Sequence, residues 1–311
     1  MTIACLVTAC VLAACTGTSK SQVEVQAPTT NPKAPPTTRA ADCAEILPPS
    51  AQAGQLLMVM VTAPGLAKET LNTATAGGFG LKGRQSSDVK TEIKDAVSTA
   101  PLTPFVASDE EGGSVQRFEA ALGPLPSAAK MAKGTPQAAG TTIGEYSTKM
   151  VGIGANMNFA PVADVGSGSG LGTRTFGDDP AVVSDFVTAS VKAQQDAGLI
   201  AVVKHWPGIG GGGTDPHDSL DKIAPLGELG QKDLIPFNAA IAAGVQGVMV
   251  AHVEVPGLTE PGVPASLSPA AITGELRGRE KFNGLVITDS LGMGAIVNTV
   301  SQEEAAEKAI T

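Results

Sequence analysis

A chain of 311 residues, 42% of them apolar and 16% charged, can bury one sizeable core, and α/β barrels of about 250 residues are commonly single domains. The formal net charge of −9 argues against the basic surface that a nucleic-acid partner requires. What remains is an acidic, enzyme-sized domain, expected to act as a monomer.

Residues 1–14 are almost wholly apolar and too short to span a bilayer, so they read as the apolar region of a secretion signal, although no Lys or Arg precedes them. Leu12-Ala13-Ala14-Cys15 resembles a bacterial lipobox, in which the cysteine becomes the lipidated first residue of the mature protein. Cys15 is therefore the predicted lipidation site, which implies a membrane partner through a lipid anchor and an extracytoplasmic location; an ordinary cleaved signal is the alternative. From Thr16 to about Arg39 the chain is rich in Ser, Thr, Pro and Lys and poor in large apolar side chains, so 15–43 is expected to be a flexible tether. If Cys5 and Cys10 leave with the signal and Cys15 carries lipid, Cys43 is the one thiol left and no intrachain disulfide can form.

From 44 to 311, short apolar runs alternate with helical patterns. The runs are Gln55–Val61, Gly78–Leu81, Pro104–Ser108, Ala155–Ala160, Ala201–Val203, Gly247–Ala251 and Gly284–Thr288, which predicts seven strands. Between them, Ala181–Ala197 and Gln231–Ala243 place apolar residues at three- and four-residue spacing. The order is βαβα, so the sheet is predicted to be parallel. Polar residues follow nearly every strand instead of gathering at one switch point, which favours an α/β fold of the TIM-type (β/α)8 barrel over a doubly wound sheet.

One stretch concentrates the chemistry. Lys204-His205-Trp206-Pro207-Gly208 and the glycines Gly210 to Gly213, followed by Asp215 and His217, hold two of the three histidines and the single tryptophan directly after an apolar strand. This reads as an active-site loop whose glycines allow movement or close approach to a ligand; no phosphate-loop pattern is present. Other strand ends add Asp109 with Arg117, Asp164, Arg174, His252 and Asp289. A carboxylate at a strand tip with an arginine on the next turn suits sugar hydroxyls, although Asp164 and Arg174 also read as a rim salt bridge and Asp289 as a helix cap.

These pieces resemble the exo-β-N-acetylglucosaminidase branch of glycoside hydrolase family three. The matches are Asp-Glu-Glu-Gly-Gly-Ser-Val-Gln-Arg at 109–117, Asn-Phe-Ala-Pro-Val-Ala-Asp at 158–164, Arg-Thr-Phe-Gly-Asp-Asp-Pro at 174–180, Lys-His-Trp-Pro-Gly at 204–208, Thr-Asp-Pro-His at 214–217, Pro-Ala-Ser-Leu-Ser at 264–268 and Gly-Leu-Val-Ile-Thr-Asp at 284–289. The resemblance implies a barrel enzyme that removes terminal β-linked N-acetylglucosamine from a carbohydrate substrate with retention of configuration and without a cofactor. It implies Asp289 as nucleophile, His217 held by Asp215 as acid/base, and Asp109, Arg117, Arg174, Lys204 and His205 as sugar-binding residues.

The chain departs from the family pattern in three places. Ile209 stands where members usually carry His, Gly211 where Asp is common, and Pro216 where Ser is common. The family pattern also continues to an eighth strand beyond the helix after Asp289, whereas this sequence ends at Thr311, so a barrel incomplete at its C-terminus is expected, with the first and seventh strands as open edges. The alternative readings are a metal site on His205, His217, His252 and Asp215, whose spacing fits no compact ligand motif; a non-catalytic glycan-binding lipoprotein; and a phosphorylase or β-glucosidase of the same family.

Overall fold

The computed structural model describes residues 47–168, 170–213 and 217–310. The signal (1–14), Cys15 and tether (15–43), and also Asp215 and Pro216, lie outside the described residues. Residues Ala44–Thr311 make one compact unit.

Its strands are β1 (Met58–Val61), β2 (Gly78–Leu81), β3 (Phe105–Ser108), β4 (Met157–Asn158), β5 (Ile200–Trp206), β6 (Asp221–Lys222), β7 (Gly247–Val250), β8 (Val253–Glu254) and β9 (Leu285–Thr288). Seven of them form one sheet in the order β1-β2-β3-β4-β5-β7-β9, with every pairing parallel. β6 and β8 pair separately and were invisible in the sequence, because two residues carry no period.

Helices supply the crossovers: α1 (Val89–Val97), α2 (Pro136–Gly152), α3 (Pro180–Asp196), α4 (Leu234–Ala242) and a π-helical segment, Ala270–Arg279. The sequence dictates where α2 and α3 start. Thr135 accepts from the Ala138 N–H and Asp179 from the Ala181 N–H, each just ahead of a proline whose missing N–H costs nothing in a first turn. α3 then buries Val183, Phe186, Val187, Ser190, Val191 and Gln194, one face at helical spacing, against the sheet.

β2 and β7 are buried throughout, as a strand covered on both faces should be, whereas β1 and β9 are only half-buried. Each of these two has a sheet neighbour on one side only among the described residues, which makes them the open edges expected. The sheet nevertheless curls. Ala107, Met157, Phe159, Val202 and Met249 form an interior cluster that also packs Met58 and Met60 from β1 and Leu285 and Ile287 from β9, so both edges share one core.

Two expectations need correction. Lys204, His205 and Trp206 do not open a loop: β5 runs through them, and the loop starts at Pro207. Their polar groups tolerate a buried strand because charged partners from neighbouring strand ends meet them. Trp206 is fully buried in the outer core and its Nε1 donates to both carboxylate oxygens of Glu280, at 3.2 and 3.1 Å, instead of facing the mouth. The run Ala155–Ala160 contributes only Met157 and Asn158 as strand, and β1 starts at Met58 because Pro49–Gly54 is helical.

Candidate active site

Three consecutive acids leave β3 and take three different roles. Asp109 is half-buried and accepts from Lys204 Nζ at 2.6 Å; its other oxygen is 3.7 Å from Arg117 Nη2. Glu111 is buried and accepts from Lys204 Nζ at 2.6 Å and from Arg174 Nε and Nη2 at 2.7 and 2.9 Å. Burial alone would raise this carboxyl, but Lys204 and then Arg174 hold it down, at about 2. Glu110 turns away from the site: its Oε1 accepts from the backbone N–H groups of Arg117 (2.6 Å) and Phe118 (2.9 Å), and its Oε2 from the Tyr146 hydroxyl (2.9 Å). Burial pushes it up to about 7 against those donors.

Glu110 thus fixes the turn that returns Arg117 toward Asp109. The turn requires glycine at Gly112, which has φ of +91° and whose added Cβ would strike the carbonyl of Pro126. Arg117 Nε is buried with no hydrogen-bond partner among the described residues, so a donor stands ready beside Asp109.

β5 supplies the centre. Its register against β7 shifts between Val203 and Trp206, an irregularity of the kind that re-aims side chains next to active sites. Lys204 is buried, and its two carboxylate partners keep it charged against desolvation. His205 Nδ1 lies 2.7 Å from Asp164 Oδ2, and its Nε2 lies 3.3 Å from Arg174 Nη2. Asp164 is fully buried; its Oδ1 accepts from the Ile209 N–H at 2.8 Å. Asp164 and Arg174 are therefore not a rim pair with each other. Asp164 orients His205 and the start of the loop, while Arg174 binds Glu111.

The loop glycines also differ from expectation. A Cβ on Gly210 would strike the backbone of Val165, and Gly168 N–H donates to Gly210 O at 3.0 Å, so this glycine serves backbone packing. Ile209, which stands where family members usually carry His, is buried in the core.

Asp289 follows β9, with its N–H donating to Val250 O. Burial works to raise its carboxyl, yet His205 first, then His252, the Ser290 N–H and Lys204 bring it below the ordinary value. Asp289 therefore sits, ionised, against the same cationic cluster. His252 is buried with Nε2 donating to the Ser290 carbonyl (3.0 Å) and Nδ1 2.6 Å from Ser266 Oγ; burial pulls its pKa down. With both ring nitrogens committed to protein partners, His252 is a positioning residue for the Asp289–Ser290 turn. His205 is likewise committed, to Asp164 and a guanidinium, and no group of three or more metal-ligating side chains exists among the described residues.

The structure therefore unites Asp109, Arg117, Arg174, Lys204, His205 and Asp289. His217 is exposed on the loop after β5, and its carbonyl accepts from the Gly294 N–H at 3.0 Å. Sequence reading missed Glu111, the role of Asp164 as the partner of His205 and the positioning roles of Glu110 and His252. Glu111 carried a signal, since alternate residues leaving a strand share a face and Asp109 was already chosen.

A family model described as the glycosyl hydrolase family 3 N-terminal domain matches residues 50–311. The chain belongs to glycosyl hydrolase family 3. It is a glycosidase with the parallel α/β architecture expected of that family. Among its relatives is the β-hexosaminidase LpqI of Mycobacterium tuberculosis, 35% identical over 93% of this chain and 78% of the relative. The solved family 3 hydrolase from Mycobacterium smegmatis superposes with a TM-score of 0.79 at 34% identity, covering 86% of this chain and 84% of that one. A β-N-acetylglucosaminidase from Paenibacillus gives 0.79 at 31% identity, over 85% of this chain and 53% of the longer one.

Proposed function

We propose that this family 3 chain is a retaining exo-β-N-acetylglucosaminidase that removes terminal β-linked N-acetylglucosamine from peptidoglycan fragments or related glycans. The observation that carries the reading is the ionised, half-buried Asp289 at the end of β9, electrostatically tied to His205 and Lys204, which join it to the Asp109, Glu111 and Arg174 cluster. The names of the relatives support the sugar assigned.

In the first step the Asp289 carboxylate forms a bond to the anomeric carbon while the bond to the leaving oxygen breaks, and His217 gives that oxygen its proton. In the second step His217 takes a proton from water, whose oxygen attacks the same carbon and releases Asp289. Asp215 holds the imidazole in the required tautomer. Asp109 accepts from sugar hydroxyls, and Arg117 Nε donates to them. A neutral imidazole also adds no second anion beside the glycosyl-aspartate. A lipid on Cys15 and the 15–43 tether place the domain, as a monomer, at the extracytoplasmic membrane surface where such glycans occur.

A fluorinated N-acetylglucosaminide that slows the second step is expected to leave a sugar-sized mass on the peptide bearing Asp289, and Asp289→Ala to abolish turnover. A label on another carboxylate refutes the assignment. Turnover that requires phosphate in place of water would make the enzyme a phosphorylase.

A further inference from the structure

The turn that follows Asp289 also grips the loop carrying His217. We infer that Gly294 and Asn298 are positioning residues that clasp the backbone of that loop and set where the His217 imidazole stands relative to the nucleophile strand. The inference rests on the reading of His217 as the acid/base.

The chain of contacts is short. The Ser290 N–H donates to Asp289 Oδ1 at 2.7 Å, and the Ser290 carbonyl accepts from Met293 N–H and His252 Nε2, both at 3.0 Å. The next N–H along, that of Gly294, donates to the His217 carbonyl at 3.0 Å. Asn298, one helical turn further, donates from Nδ2 to the Asp218 carbonyl at 3.0 Å. A single peptide step thus separates the bond that closes the nucleophile turn from the bond that holds the acid/base loop.

The close approach depends on glycine, because a Cβ on Gly294 would lie 2.6 Å from the His217 carbonyl oxygen and would also strike the Asp218 carbonyl. Both obstacles are backbone, which cannot swing aside as a side chain can. The loop is packed at Ile209 and Gly210, whereas a Cβ on Gly211 or Gly213 would meet nothing within 4 Å. External backbone anchors are what such a loop needs, and Gly294 and Asn298 provide two. Proton transfer is steep in distance, so a loosened clasp lowers the rate only where protonation of the leaving group matters.

The test compares Asn298→Ala, Asn298→Asp and Gly294→Ala with the parent full chain on a β-linked N-acetylglucosamine disaccharide and on a dinitrophenyl N-acetylglucosaminide. Both Asn298 variants lose the donor, and each is expected to lose about threefold to tenfold in kcat/KM on the disaccharide, the worth of one hydrogen bond, and under about twofold on the activated substrate. Gly294→Ala is expected to exceed them in the same pattern. Equal losses on both substrates, or no loss, overturn the clasp.

His217→Ala, run in parallel, separates the two ideas. If it loses the same factor on both substrates, the acid/base reading fails on its own. The clasp is then judged by backbone hydrogen exchange in the peptide covering 211–220, which is expected to quicken in Asn298→Ala at unchanged melting temperature; exchange equal to the parent's refutes it.

Discussion

Lys204 Nζ and Glu111 Oε1 stand 2.6 Å apart, and each side chain is only 3% exposed. Two charges taken out of water hold their place only as long as both are present. Lys204 also meets Asp109, so its removal leaves Glu111 held by Arg174 and Asp109 with only the 3.7 Å contact to Arg117. Lys204→Met is expected to lower the unfolding free energy by about 3–5 kcal/mol in chemical denaturation. Lys204→Met combined with Asp109→Asn is expected to recover part of that loss, because Asp109 is the carboxylate that loses its hydrogen-bonded cation and keeps only Arg117 at 3.7 Å; a double variant as unstable as the sum of the singles contradicts the account.

Gly210 and Gly211 are adjacent and play different parts. A Cβ on Gly210 meets the Val165 backbone, whereas one on Gly211 meets nothing within 4 Å. Gly210→Ala is expected to cost about 1–3 kcal/mol by overpacking, and Gly211→Ala to stay within about 0.5 kcal/mol of the parent. Thermal melts of the two variants side by side check it, and equal melting temperatures would refute the packing role.

The Glu110 carboxyl, at about 7 in the folded chain against 4.5 ordinarily, makes stability depend on pH in one direction. Between those values the folded chain keeps a proton that the unfolded chain has lost. The stability from this group is therefore complete below about 4.5 and is lost as pH rises through about 7. Glu110→Gln keeps the acceptor for the Arg117 and Phe118 N–H groups but cannot ionise. Relative to the parent, it is expected to gain about 1–3 kcal/mol of stability as pH is raised from about 5 to about 8. A difference between the two that does not change with pH argues against a buried proton at Glu110.

Lipidation at Cys15 predicts fractionation. Expressed in a bacterium that processes lipoproteins, the parent is expected in the membrane fraction and Cys15→Ala in the soluble one, since acyl chains contribute about 0.8 kcal/mol per buried methylene. A variant that still sediments with membranes refutes the anchor.

Much of the scaffold was legible in the chain. Short apolar runs such as Gly78–Leu81 and Gly247–Val250, set between helical patterns, read as strands covered on both faces, and the helical spacing over Ala181–Ala197 falls within one residue of α3 at each end. Those signals are local, because side-chain period follows directly from backbone geometry. Asp109, Lys204, His205 and Asp289 stand in or just beyond a strand, whereas Arg117 and Arg174 lie further along their loops, and the site roles of all six were legible through the resemblance of their motifs to the family.

Tertiary structure alone decided what those residues do to one another. Alternation along the chain puts Glu110 and Glu111 on different faces, but only the fold shows that Glu110 meets Tyr146 and holds a turn while Glu111 meets Lys204 and Arg174. Nor does any pattern within β5 reveal that Lys204 and His205 continue the strand, because their tolerance of burial comes from Asp109, 95 residues away, and Asp164, 41 residues away. A buried charge is permitted only by a partner, and the partner is chosen by how the sheet curls, so the electrostatics of the site exist only once the strands have met.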